Sequence, residues 1–356
     1  MPKRGSRTYR LRDSRVVQLT DVERATAESR AIPRSWYRDP SGAVQENIDP
    51  REYPAIIAAG TGTLWVDIDL EQGAQVALLE KLFRFHPLAV EDTLSPSGRV
   101  KVEEYPGYLF TVVRAVRFMH ETNDPYDVET FNLCAFLGVN YLVTVRGRHA
   151  PGIDGVMDRV SRSHDLMDRG AARLLHAVLD GTVDAYFPIV DQLDAFVDGI
   201  EERVFVTFDA EALRDIFAFK RLVLQLRRHL APQREVFSVL SNRPSAVLPP
   251  DAQLYFRDIY DHVIRLNESL DTYRDLLSST MDSYLTQVSN RLGAVSKGLA
   301  ALGAISIPFV VISGMWGMNF QYMPLADDPH GFWWMLGIQL GLGGALIWIL
   351  RRRGVL

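Results

Sequence analysis

Cysteine is nearly absent. The single one among 356 residues, Cys134, excludes an internal disulfide framework and a thiolate metal cage, and it fits a reducing compartment. Set in an apolar stretch, Cys134 reads as a core residue. A strong excess of charge is also missing: 39 basic and 44 acidic side chains leave −5, too mild a balance to implicate nucleic acid as a partner. Lys3, Arg4, Arg7, Arg10, Arg12 and Arg15 open the chain without an apolar run, so the start does not resemble a signal peptide and is expected to stay in the cytosol. There is no phosphate-binding loop, nucleophile elbow or paired catalytic set, and His86, His149 and His262 read as isolated structural or surface groups. These absences argue against an enzyme.

What is present is distributed unevenly. Mean hydropathy lies near zero, yet the longest uncharged stretches all follow Lys297. Gly298 to Met318 is uncharged over 21 residues and Gly331 to Leu350 over 20, each long enough to cross about 30 Å of hydrocarbon. The link between them has Asp327 and Asp328 but no Lys or Arg, whereas Arg291, Lys297 and Arg351-Arg352-Arg353 flank the other ends. Positive-inside asymmetry places both termini in the cytosol and the link outside. Trp333, Trp334 and Trp348 stand where interfacial anchors are expected, and Gly337 and Gly341 form a small-xxx-small pair, a sign of close helix approach or of simple tolerance. Pro308 lies inside the first span and frees a backbone carbonyl there.

Ahead of the spans, Leu64 to Asp69, Tyr108 to Phe118, Val128 to Leu137 and Tyr141 to Val145 read as strands, with helices around Gln75 to Phe83 and His86 to Thr93. Helix formers dominate from about Ala171, with breaks at Asn242-Arg243-Pro244 and Pro249-Pro250 and a new start capped by Asp251. Thirteen apolar residues from Phe256 to Leu299 then recur with a mean spacing near 3.6, which describes one straight amphipathic helix. From Asp251 to Trp316 it would be a rod of roughly 100 Å, whose stripe needs partner helices or copies of itself. The expected organisation is a mobile basic tail (1–55), a cytosolic α/β domain (56–165), a helical region with the stalk helix (166–297), a first span (298–318), an outer loop (319–330), a second span (331–350) and a basic end (351–356).

Gly317-Met318-Asn319 carries little weight as three letters. Here it closes the first of two spans, follows Trp316 and precedes Phe320 and Tyr322-Met323-Pro324. In this setting the chain resembles the CorA family of magnesium transporters. The resemblance covers about four fifths of the chain and includes His86-Pro87-Leu88 with Glu91-Asp92, Val183-Asp184-Ala185-Tyr186-Phe187, Arg257-Asp258-Ile259-Tyr260-Asp261-His262 and Tyr273-Arg274-Asp275. It implies an α+β membrane protein: a cytosolic α/β/α domain, a long stalk helix continuing into a two-helix transmembrane hairpin, and a homopentamer whose first spans line one pore in the lipid bilayer.

The resemblance also implies roles. Gly317, Met318 and Asn319 would form a selectivity filter for a hydrated ion, and neutral oxygen ligands suit Mg2+, which gives up its water reluctantly. Leu299 and Ile307 match an apolar gate that blocks ions by dewetting. Glu91, Asp92, Asp180, Asp184 and Asp258 match carboxylates that hold regulatory Mg2+ between protomers; from the residues alone they also read as a solvated acidic face. Arg351, Arg352 and Arg353 match a basic collar, and equally a stop-transfer anchor. Gly293 and Val310 stand where well-known members are polar, and Gln321 and Leu325 where an acid is frequent. The cargo is expected to be Mg2+, with Co2+ or Ni2+ beside it. A zinc transporter of the same architecture and a membrane-anchored oligomeric scaffold or sensor remain the alternatives; Met318 favours magnesium over zinc, and Asn319→Ala separates a channel from a scaffold.

Overall fold

The computed structural model describes residues 32–96, 98–119, 127–147, 150–163, 165–204, 211–318, 324 and 328–353. The chain divides into two compact units, residues 1–197 with 218–275, and residues 198–217 with 276–356.

The first unit is built on a seven-stranded sheet. Its strands are β1 (Arg34–Arg38), β2 (Val44–Glu46), β3 (Thr63–Asp69), β4 (Lys101–Tyr105), β5 (Tyr108–Phe118), β6 (Val128–Leu137) and β7 (Tyr141–Arg146), in the spatial order β2-β1-β3-β7-β6-β5-β4. Only β3 and β7 run parallel; the other neighbours are antiparallel. The helices are α1 (Tyr53–Ala59), α2 (Gly73–Lys81), α3 (Pro87–Leu94), α4 (Pro151–Arg162), α5 (Asp165–Asp168), α6 (Ala171–Asp184), α7 (Phe187–Glu202), α8 (Ala212–Leu230), α9 (Gln233–Asn242), α10 (Pro250–Trp316) and α11 (Gly331–Arg352).

Period-two alternation divides β3 between two cores. Leu64, Val66 and Ile68 join Phe110, Phe136 and Val143 in a cluster roofed by Tyr53 of α1, Leu79 of α2 and Ala89 of α3. Trp65 turns to the opposite face, fully buried, where its indole N–H donates to Thr144, and α6 packs there on β3 and β7. Covered on both faces, β3 and β7 bury most of their side chains, and the polar Asp67 and Thr144 among them are hydrogen-bonded to each other. Cys134 is buried in the first of these cores, and burial pushes its thiol up to about 12, which keeps it protonated and inert.

The folded domain starts earlier than residue 56. β1 pairs with β3 along its whole length, and Trp36 stacks on Trp65 with ring centroids 4.9 Å apart, so part of the expected tail is an integral strand. Residues 1–31 lie outside the description. Gly62 enables this pairing: its φ is +72°, and a Cβ there would lie 2.4 Å from the Arg38 carbonyl oxygen, a place only glycine can occupy.

The break at Asn242 falls where the sequence indicates, since α9 ends on that residue and α10 begins at Pro250. Asp251 is in the first turn of α10, not its cap, because Pro250 takes the initial position, where its fixed φ fits and no N–H is needed. At 67 residues, α10 is about 100 Å long. Pro308 does not interrupt it.

Candidate functional site

In the first unit, α6 places Asp180 and Asp184 one turn apart on a single face, and α10 brings His262 beside them. One ligand atom from each of Asp180, Asp184 and His262 lies within 4.8 Å of the others. His262 Nδ1 is 3.5 Å from Asp184 and Nε2 is 3.9 Å from Asp258, with Phe187 edge-on to the ring at 5.4 Å. Burial, and then the adjoining Asp184 charge, push the Asp180 carboxyl upward. Like charges this close favour a cation among them. Two carboxylates and an imidazole fit a divalent metal, with water completing the shell: oxygen suits Mg2+, and the nitrogen admits Co2+, Ni2+ or Zn2+.

The sequence reading missed His262 by treating it as an isolated group. The available signal was its i, i+4 spacing from Asp258, which puts both on one face of α10 just as Asp180 and Asp184 share one face of α6. Glu91 and Asp92 are not brought to this cluster. They lie on α3, where Asp92 forms an ion pair with Lys101 at 2.6 Å. Burial opposes the Lys101 charge, but hydrogen bonds to Asp92 and Glu103 outweigh it and raise the ammonium pKa.

In the second unit, the end of α10 and α11 are, among the described residues, the two helical stretches long and apolar enough to cross a membrane. Gln339 of α11 is buried, and its amide donates 2.7 Å to Ser313 Oγ and 3.4 Å to the Phe309 carbonyl of α10. One turn further on, Gly343 meets the Phe309 ring; a Cβ there would come within 2.7 Å of it. The close approach is thus at Gly343. Gly337 and Gly341, the small-residue pair in the sequence, have nothing within 4 Å of a Cβ position, because they point away from α10 within this chain.

Leu299 and Ile307 stay 65% and 62% exposed, uncovered by their own chain. The helix end is closed by the Gly317 N–H, which donates to the Ser313 carbonyl at 3.0 Å, and Met318 is half exposed. Asn319, Gln321 and Leu325 lie outside the described residues. Arg351 and Arg352 form the last turn of α11 and Arg353 its cap, with the Arg352 guanidinium 5.3 Å from the centre of the Trp348 ring.

The profile of the CorA-like Mg2+ transporter protein family matches residues 60–352. The chain is 33% identical over 290 residues to YfjQ of Bacillus subtilis, covering 81% of this chain and 88% of that one. It is 31% identical over 262 residues to the cobalt/magnesium transport protein CorA of Thermotoga maritima, covering 73% and 74%. Its fold superposes on the complete CorA magnesium transporter of Methanocaldococcus jannaschii with a TM-score of 0.79 at 21% identity, over 91% of this chain and 99% of the other. With strands β3 to β7, the long helix and the paired apolar helices inside the matched span, the chain belongs to the CorA-like Mg2+ transporter family.

Proposed function

We propose that the protein is a divalent-cation channel that imports Mg2+, with Co2+ or Ni2+ as further cargo, across the plasma membrane. The reading is carried by the uncharged final stretch of α10 and the Gly317-Met318 that follows it, within a chain matching the transporter family over residues 60–352. Both termini are cytosolic and the link between the spans is outside, from the distribution of Lys and Arg. The chain works as a homopentamer. Supporting assembly, Phe256, Val263 and Leu270 of the α10 stripe are buried, whereas Leu292 and Val295 of the same stripe are 66% and 60% exposed and call for copies of the helix to cover them.

In this reading Gly317, Met318 and Asn319 offer neutral oxygens to a hydrated ion, Leu299 and Ile307 close the pore by dewetting, and Arg351, Arg352 and Arg353 repel cations around the cytosolic mouth. Asp180, Asp184 and Asp258, with His262, bind the regulatory metal, and Glu91 and Asp92 reach it from a neighbouring protomer. Metal held between like-charged surfaces stabilises the closed state because that state alone brings the carboxylates together.

The test is competitive flux of Mg2+, Co2+, Ni2+ and Zn2+ through purified protein in liposomes. Saturable Mg2+ flux that disappears in a correctly inserted Asn319→Ala protein is expected. Undiminished flux in that variant removes the filter assignment, and absence of flux for every ion leaves a scaffold.

A further inference from the structure

The first unit holds a second polar feature, apart from the Asp180, Asp184 and His262 cluster. At the carboxyl ends of the parallel strands β3 and β7, the usual place for a ligand in an open α/β sheet, lies an open cavity of about 1090 Å³. Its floor is satisfied internally: Arg146 sits between Asp67 at 3.0 Å and Asp154 at 3.1 Å, and the Thr144 hydroxyl donates 2.6 Å to Asp67. Arg117, on the wall, is paired with Glu129 at 2.6 Å. Asp69, Glu71 and Asp158 remain, opposed by Arg34. Glu71 is exposed, Asp69 is half-buried with its carboxylate accepting from the nearby Glu71 N–H, and Asp158 has the exposed Arg162 at 3.9 Å. The wall is therefore acidic.

These carboxylates do not converge on one ion. Among the described residues, the group that brings three such donors within 4.8 Å is Asp180, Asp184 and His262, so the cavity suits an extended polycation and not a single metal. Ile32, the first described residue, itself lines the cavity. The 31 residues before it contain Lys3, Arg4, Arg7, Arg10, Arg12, Arg15, Arg24 and Arg30 against Asp13, Asp21, Glu23 and Glu28. A segment tethered at the rim meets the cavity at an effective concentration in the millimolar range, and guanidinium groups match carboxylates with paired hydrogen bonds. We infer that the Arg-rich N-terminal segment of the chain itself docks in this acidic cavity. The contact is electrostatic and close to the surface, so salt releases it.

The test uses the full-length protein in detergent. Trypsin cleavage after Arg4 to Arg15 is timed by mass spectrometry in the wild type and in Asp69→Asn/Glu71→Gln/Asp158→Asn, alongside carbodiimide coupling of Lys3 to carboxylates. The expected result is cleavage about tenfold slower in the wild type at low ionic strength, a difference abolished at about 1 M salt, where the Debye length is about 3 Å, together with coupling of Lys3 to Asp69, Glu71 or Asp158. Salt dependence within the wild type supplies a readout that does not rely on the variant. Equal, salt-independent cleavage in both proteins overturns the inference. So does protection that arises only with anionic vesicles and persists in the triple variant, which would assign the segment to the membrane surface.

Discussion

His262 places one ring nitrogen 3.5 Å from Asp184 and the other 3.9 Å from Asp258, so a single imidazole joins the acidic face of α6 to that of α10. Its donor set distinguishes the site from one made of oxygen alone. His262→Gln is expected to weaken Co2+ binding by roughly tenfold or more while Mg2+ binding changes much less, since imidazole suits the transition metals and carboxylate suits magnesium. Calorimetric titration of the purified protein with each metal checks it; equal losses for the two ions would remove His262 from the ligand set.

Gly152 of α4 and Gly181 of α6 let two backbones touch. A Cβ on Gly152 would lie 2.5 Å from the Gly181 backbone, whereas one on Gly155 would meet nothing within 4 Å. Gly152→Ala should cost about 1–3 kcal/mol by forcing the helices apart, and Gly155→Ala should be neutral or slightly stabilising through its helix propensity. Thermal unfolding of the two variants decides it, and equal midpoints would contradict the packing.

Gln339→Leu removes the hydrogen bonds to Ser313 and Phe309. The expected loss is small, about 0.6 kcal/mol, because a polar group in a membrane finds other partners. A lower melting temperature in detergent with retained insertion is the predicted result; a rise would show that burying the amide costs more than its bonds return.

Burial, reinforced by the Arg173 charge, pushes the His176 imidazole down to about 4 from an ordinary 6.5. The unfolded chain therefore binds more protons between those values, so stability should fall as pH drops from about 6.5 toward 4 and level off below. His176→Gln should flatten that part of the curve of denaturation midpoint against pH, and an unchanged slope would assign the acid sensitivity to other groups.

The strands β3, β5, β6 and β7 and the α10 stripe were legible because their signals are local. Alternation or 3.6 spacing over many residues needs no knowledge of the partner. β1 was not legible, since Ser35-Trp36-Tyr37 is short, flanked by Arg, Asp and Pro, and becomes a strand only by pairing with β3. For the same reason Gly343 could not be told from Gly337 or Gly341 by spacing alone: each is a glycine in an apolar helix, and which one meets Phe309 depends on the rotation of α11.

From the sequence alone came the order of the parts, the two uncharged spans with their charge asymmetry, and the residue types at the Gly317 helix end, because chain-local hydropathy and charge decide whether a segment can enter a bilayer. Only the tertiary structure decided that His262 joins Asp180 and Asp184 while Asp92 is engaged by Lys101. Metal sites and ion pairs depend on distances between elements far apart in the chain, and those distances follow from how the helices pack.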